Sequence, residues 1–522
     1  MWFPDANLRA KPAMLVAPVM LCVAASAHAQ APSLPPSVHS RLAAPFDAFG
    51  ADLALWSSIY CAVGVRGADG AATNTGAIDT FDLKEGLWTY RQRLAPVGLA
   101  AGDQFGHALA ATPEWLAASA TRHDASGTDS GAVWVYRRDG LSWTSPQKLI
   151  PGMGSDGARF GTAVALGGTA GSERIVIGAP GSTPGGPTGG SVAIYRLVDG
   201  NWVLESTVVN PTPANGDRFG EAVAIEGTRL LVSDPFDDTI VTDRGAVYAY
   251  ELVGSAWTLR ATLVPAVNAD RQYYGRSIAV KGTRLAVGAY GADSGDAAIS
   301  SCGAVELYDL VGGNWSRSAE LRPTTPAVGG NFGWDVAIEG NVLVVGEPGY
   351  TVPGATGERH GRASVYMREP SSQWVKVAEF VPSEAQAEEL FGTSVALLGG
   401  KLAVGAPGCD GRAGALLAAN IAADCDANLV LDVQQIAADP TLDCNGDMLL
   451  DTCQEDANGD GVPNFCDCAG DSTGDGAVTS ADLSFILAEW GNYGGNPADL
   501  NGDLVVDAED LSLCLLYWGP CK

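Results

Sequence analysis

Short runs of alternating apolar and polar residues recur along most of the chain, four at a time, at intervals of 55–59 residues. Each group opens on an aromatic–glycine pair, at Phe49, Phe105, Phe160, Phe219, Tyr274, Phe332 and Phe391. A first run follows (GTAVALGG, GEAVAIEG, GRSIAVKG) and ends in a tight turn. A second closes on a Gly-Ala-Pro-like corner (RIVIGAPG, VLVVGEPG, KLAVGAPG). After a loop of variable length a glycine starts the third (GAVWVY, GAVYAY, GAVELY), and a tryptophan opens the fourth at Trp88, Trp143, Trp202, Trp257, Trp315 and Trp374. Four such runs joined by glycine turns predict one antiparallel sheet, which cannot bury both faces by itself. Copies must therefore stack, and radial closure does this while leaving few exposed edges. The recurring aromatics and tryptophans are read as packing between blades.

The seventh group, from Phe391, fades at GALLAANI without a tryptophan run. The segment SRLAAP (Ser40–Pro45), just before the first aromatic–glycine pair, matches the ending of a fourth run. It is expected to complete the last blade. The fold class predicted is all-β: a seven-bladed propeller of four-stranded antiparallel blades over residues 30–422, followed by a small α-helical calcium-loop module.

These FG…GAP units resemble the FG-GAP repeats of the integrin α-subunit propeller family, from about Pro35 to Ile421. The resemblance implies recognition of an extracellular protein or other extracellular ligand. Several members of that family bind calcium in a carboxylate-rich loop between the first two strands. The corresponding turns here (EG-T, KG-T, EG-N, GG-K) carry no carboxylate ladder, so no propeller calcium site is expected. Loops between second and third runs vary most, and variable loops on a rigid scaffold are where binding usually resides. Asp234, Asp237, Asp238 and Asp293 in those loops are candidate ligand contacts.

Composition adds compartment and partners. Residues 1–29 read as a signal peptide: Arg9 and Lys11, an apolar stretch from Ala13 to Ala27, and the small-x-small site Ala27-His28-Ala29, cleaved after Ala29. A secreted or cell-surface location follows, and no later run is long enough to span a bilayer. Ten of the eleven cysteines survive cleavage, which in a secreted chain predicts disulfides of undetermined connectivity. Of the formal charge of −29, much resides in Asp424–Lys522, where 20 acidic residues face one base, Lys522. That sign excludes a nucleic-acid partner. No HExxH or GxSxG arrangement is present, so catalysis is not expected.

Spacing carries chemistry in the acidic tail. Calcium takes six to eight oxygen ligands, supplied from positions 1, 3, 5, 7, 9 and 12 of a loop. One loop places Asp471, Thr473, Asp475, the Ala477 carbonyl, Thr479 and Asp482 there; a second places Asp499, Asn501, Asp503, the Val505 carbonyl, Asp507 and Asp510. Each is followed by one apolar helical face, first Leu483, Ile486, Leu487 and Trp490, then Leu511, Cys514, Leu515 and Trp518, offset by 28 residues. The duplicated loops resemble type I dockerin modules, which implies docking onto a cohesin-like partner by residues 470–522. Leu504 replaces the usual glycine of the second loop, and Thr473 is a poorer ligand than Asp or Asn.

Between propeller and module, residues 423–469 hold three further ladders. The first is Asp424, Asp426, Asn428 and Asp432; the second is Asp443, Asn445, Asp447 and Asp451; the third is Asp456, Asn458, Asp460 and Asn464. Interleaved with cysteines, these resemble thrombospondin type 3 calcium repeats and predict a calcium-stiffened spacer.

The leading reading is a secreted binding or adhesion protein whose calcium-dependent tail docks to a partner or surface, with Ca2+ as cofactor. The alternatives are a secreted polysaccharide-active enzyme carried on a propeller and a structural cell-surface protein.

Overall fold

The computed structural model describes residues 46–420 except 58–59, 85–86, 141, 145, 153–155, 170, 184–188, 296–297, 370 and 383–386, and, beyond them, 435, 439, 442, 450, 470, 472–473, 477–492, 498–500, 505–516 and 518–520. Each repeat forms one antiparallel sheet with strands paired in chain order, giving seven blades. In the fifth blade Tyr274–Lys281, Arg284–Ala289, Ala304–Val311 and Asn314–Leu321 follow one another from the axis outward. The second strand is buried from Leu285 to Ala289 because neighbouring blades cover both faces, which is why it reads as an almost unbroken apolar run. The fourth strand has one side in water and alternates accordingly. Its pairing with the third slips by a residue beside Phe81, Tyr195, Tyr250, Tyr308 and Tyr366, a bulge that increases the twist of the outer edge. The second blade departs from this plan. Its outer strand splits into Ser142–Trp143 and Gln147–Leu149 around Pro146, which has no N–H for the ladder.

One joint, made seven times, turns the sheets into a ring. The N–H of each pair's aromatic (Phe49, Phe105, Phe160, Phe219, Tyr274, Phe332, Phe391) donates to the carbonyl just before the third-strand glycine of the preceding blade, at 2.9–3.3 Å. Those glycines (Gly414, Gly76, Gly131, Gly190, Gly245, Gly303, Gly361) have φ between +84 and +92°. A Cβ on any of them would stand 2.1–2.3 Å from the aromatic residue's carbonyl oxygen. The seventh of these contacts, Phe49 on Gly414, joins the first blade to the last and closes the ring.

The aromatic rings drop into cores that lie between blades. Seven apolar clusters correspond to the seven interfaces; Phe49, Val63 and Phe81 of the first blade, for example, pack with Ala403 and Leu416 of the last. Tyr274 alone among the paired aromatics carries a hydroxyl, which donates to Tyr308 Oη at 2.7 Å, and Tyr308 in turn to Glu306. Every fourth-strand tryptophan packs into one of these clusters, as expected of packing residues. The last blade shows Ser394–Leu398, Lys401–Ala406 and Ala415–Asn420; the strand expected from Ser40–Pro45 lies outside the described residues.

In the tail, helices α1 (Ser480–Ala488) and α2 (Ala508–Leu516) pack around Val478, Ile486, Ala498, Val506 and Cys514. Ala477–Val478 pairs with Gly519–Pro520, so the end of the module clasps its beginning. Among the described residues no helix is long and apolar enough to cross a membrane.

The expectation of disulfides is corrected for four cysteines. Cys61, Cys302, Cys409 and Cys514 are buried and unpaired, and three of them fill apolar clusters as small hydrophobic residues. The other cysteines lie outside the described residues.

The joint makes a direct prediction. Gly303→Ala forces both a left-handed alanine and a collision with the Phe332 carbonyl, and should destabilise the propeller by about 2–5 kcal/mol. Gly254→Ala, in a hairpin turn with φ +64° and open space around it, should cost only about 1–2 kcal/mol. Chemical denaturation of the two variants checks the difference.

Candidate functional site

Strand direction reverses at every turn, so second-to-third loops and the connections into the next blade emerge at one end of the ring. Within a blade the corner glycine's N–H bonds the carbonyl two residues before the aromatic, as in Gly67 to Asp47 (2.9 Å), Gly291 to Gln272 (3.2 Å) and Gly349 to Gly330 (3.0 Å). Between blades the residue before the aromatic donates to the preceding loop, as in Arg159 N to Asp129 O (3.1 Å) and Tyr273 N to Asp243 O (3.0 Å). This end is therefore a braced main-chain lattice with side chains projecting from it.

The loop aspartates separate into two kinds. Asp238 and Asp293 are exposed, and each accepts a main-chain N–H of its own loop, from Asp243 (2.6 Å) and Ser301 (2.9 Å). Asp69 and Asp124 do the same for Asn74 and Asp129. The receiving residues all have φ near +50°, a conformation these carboxylates hold in place. Asp234 and Asp237 turn inward. Asp234 is fully buried, accepts from Asn210 Nδ2 (2.8 Å) and Arg218 N (3.0 Å), and is pushed up to about 8, first by burial and then by Asp217. Asp237 accepts from Arg244 Nη2 (3.3 Å) and Tyr248 Oη (3.1 Å). Their carboxylates hold the fourth blade's loop together.

A different set of side chains occupies the mouth. Phe236, Tyr273, Tyr290 and Trp334, from the fourth, fifth and sixth blades, form a half-buried row. Tyr273 stacks on Tyr290 at 4.9 Å with the rings 8° apart, Trp334 meets Tyr290 edge-on at 4.9 Å, and Phe236 lies 5.3 Å from Tyr273. Arg218 lies over Phe236 at 4.5 Å and Arg276 over Trp334 at 4.7 Å, contacts that hold the guanidinium planes against the row. Across the axis His107 takes the repeat position that Arg276 and Trp334 hold in their blades. Its pKa is lowered to about 4, first by burial and then by the charges of Arg66, Arg276, Arg122 and Arg159. Five arginines thus gather at one end of an acidic protein.

Sequence reading missed these residues because each looks ordinary in its own segment. Aligned in phase they share four positions: one before the aromatic (Arg159, Arg218, Tyr273), one after its glycine (His107, Arg276, Trp334), and two successive places at the corner (Arg66 and Tyr290, then Arg122 and Phe236). Departure from the repeat at joint-adjacent positions was the available signal. The other histidines inside the propeller serve locally: His123 bridges Asp103 and Lys148 at 2.7 Å each, and His360 Nδ1 accepts from Val352 N at 3.1 Å.

A closed ring with one decorated mouth defines a β-propeller of the ligand-binding, adhesion type. The FG-GAP repeat family pattern matches residues 88–136, 143–195, 202–250, 257–305, 315–366 and 374–416, more than half of the chain, and the protein belongs to the FG-GAP repeat family. Each matched unit starts at a fourth-strand tryptophan and runs across the joint into the next blade. No curated protein matches the chain.

Of the tail residues expected to hold calcium, Thr473, Ala477, Thr479, Asp482, Asp499, Val505, Asp507 and Asp510 are described, whereas Asp471, Asp475, Asn501 and Asp503 lie outside the described residues. So do the three spacer ladders: Asp424, Asp426, Asn428 and Asp432 of the first, Asp443, Asn445, Asp447 and Asp451 of the second, and Asp456, Asn458, Asp460 and Asn464 of the third. Asp482 and Asp510, the last positions of their loops, are both fully buried. Asp482 accepts from Thr473 N (3.0 Å), Thr473 Oγ1 (2.8 Å) and Thr479 N (2.7 Å); Asp510 accepts from Leu500 N and Asp507 N at 2.8 Å each. Each carboxylate folds back over the start of its own loop. Among the described residues no three acidic, histidine or cysteine side chains converge.

Two axial carboxylates give a pH signature. Asp52 accepts from Leu109 N (2.6 Å) and Asp335 from Val395 N (2.8 Å), each clamping the next blade's first strand. Burial, then Asp335, raises Asp52 to about 7, and burial raises Asp335 to about 6. Between about pH 4 and 7 the folded state therefore holds protons that the unfolded state has lost, so their contribution to stability is full below pH 4 and declines as pH rises through 6–7. Asp52→Asn keeps the acceptor oxygen and removes the charge. It should raise the melting temperature at pH 8 by a few degrees and flatten its slope between pH 5 and 8, read by calorimetry.

Proposed function

We propose that this is a secreted binding protein whose propeller mouth recognises an extracellular protein or carbohydrate ligand and whose calcium-dependent tail docks to a partner or surface. The observation that carries the first half is the half-buried aromatic row flanked by Arg218 and Arg276, held on a braced end of the ring. Flat aromatic faces beside fixed guanidinium planes give a ligand both stacking area and oriented donors, without a loop having to order first. Tyr290→Ala combined with Trp334→Ala should weaken binding by about tenfold or more on an array of extracellular proteins and glycans, since aromatic anchors dominate such interfaces. Undiminished binding would move the site off this mouth.

For the tail, Asp471, Thr473, Asp475, Thr479, Asp482 and the Ala477 carbonyl would hold one Ca2+. Asp499, Asn501, Asp503, Asp507, Asp510 and the Val505 carbonyl would hold a second. The support is the twofold repetition in which Asp482 and Asp510 take the same place 28 residues apart. The ion would neutralise a segment with 20 acids and one base, whose own repulsion otherwise opposes compaction. The Asp/Asn ladders between Asp424 and Asn464 would stiffen the spacer in the same way, and a cohesin-like domain is the partner the module would meet. In the full chain, calcium at about 10⁻⁴–10⁻³ M should protect the region after Asp424 from proteolysis while leaving propeller melting nearly unchanged. Asp475→Ala with Asp503→Ala should abolish that protection. Equal digestion in chelator and calcium would sink the assignment.

A further inference from the structure

The reading of the mouth as a ligand site leaves open which chemistry it selects, and the charges there narrow it. The chain carries 60 acidic residues and 31 lysines and arginines. Among the described residues Arg66, Arg122, Arg159 and Arg276 form no ion pair, whereas most other arginines of the propeller do. Arg218 has only a distant partner, Glu221 at 3.9 Å. These five come from consecutive blades. His107, on which the charges of four of them act, keeps a buried Nδ1 without a hydrogen-bond partner.

Glu221 and Asp243 offset Arg218 in part, but the axial carboxylates do not cancel the field of the other arginines. Asp52 and Asp335 are turned onto main-chain N–H groups of neighbouring blades, and both are shifted toward the neutral form. The mouth is thus a cationic patch within an acidic molecule, and a guanidinium can meet a planar carboxylate through two parallel N–H bonds.

We propose that the mouth binds a carboxylate-bearing sugar residue, a uronic-acid type, presented by an otherwise near-neutral glycan. The arginines from the first to the fifth blade take the carboxylate, and the sugar face lies on the Tyr290–Trp334 end of the aromatic row. This inference rests on the binding role proposed above and names its ligand class. The local charge selects an anion, while the net charge of −29 disfavours a densely charged polymer, nucleic acid included. A sparsely charged glycan satisfies both, because repulsion from charges more than about 8–10 Å away is largely screened whereas contacts inside the mouth are not. The flat, stacked row favours a ring over the flexible side chain of an acidic peptide.

The test uses the full chain and a glucuronate-bearing xylo-oligosaccharide, beside the same oligosaccharide after carboxyl reduction. The acidic form should bind at least tenfold more tightly, and the advantage should shrink as salt is raised. Arg122 and Arg159 are exposed, so Arg122→Gln with Arg159→Gln should fold normally and erase the preference. Tyr290→Ala should weaken both forms, and Arg260→Gln, on the outer strand of the fourth blade, should change neither. Equal binding of the two forms overturns the anion assignment and leaves the glycan-binding role standing. Binding to acidic proteins but to neither sugar shows the ligand class to be wrong. Binding to neither glycans nor proteins removes the proposed function itself.

Discussion

The ring depends on one contact: a main-chain hydrogen bond that brings a glycine of one blade against the aromatic residue opening the next. Because the approach is backbone to backbone, neither glycine can acquire a side chain without parting the two sheets. The positive φ of the third-strand glycine aims the chain across the gap, and the aromatic ring anchors in the core behind it. Sheet twist, stacking and the position of the axis follow from repeating this step until the first blade meets the last. Stability is accordingly distributed over seven equivalent interfaces, each with its own apolar cluster, with no single central core.

Much of this was legible because the joint is written in residues with few substitutes, glycine and a phenylalanine or tyrosine. The aromatic–glycine pairs gave the number of blades, and alternation gave four strands in each. Other parts were less legible for definite reasons. Nothing in the tryptophan spacing foretold the split outer strand of the second blade, where Pro146 interrupts the ladder and the Gln147 side chain instead bonds both main-chain groups of Trp202 at 2.8 Å. Aspartates in variable loops suggested ligand contacts, and sequence alone did not show which of them carry structural bonds as well. Asp234 and Asp237 are buried in hydrogen bonds, whereas Asp238 and Asp293 each pin a left-handed backbone while staying exposed. The mouth arginines and aromatics stand out only when the seven copies are set in phase.

The tail follows a contrasting principle. Among the described residues it has five of fully buried apolar core against the dozens of the propeller, and its two halves meet through Val478, Ile486, Val506 and Cys514 in a small twofold arrangement. Asp482 and Asp510 sit at helix starts, where the N–H groups of the first turn favour a carboxylate; Thr479 and Asp482 make a complete reciprocal cap. Residue choice there is dictated by oxygen placement more than by volume. The propeller therefore answers to pH through its axial carboxylates, and on the function proposed above the tail answers to divalent cations.

A ring held by its main chain frees the side chains beside each joint from structural duty. The position just after the aromatic–glycine pair occurs once per blade, always at the same end. It forms a circular array of slots, in which alanine, histidine, threonine, glutamate, arginine and tryptophan stand on one common frame. Recognition in such a molecule can drift one slot at a time, so two copies that share every glycine could read quite different surfaces.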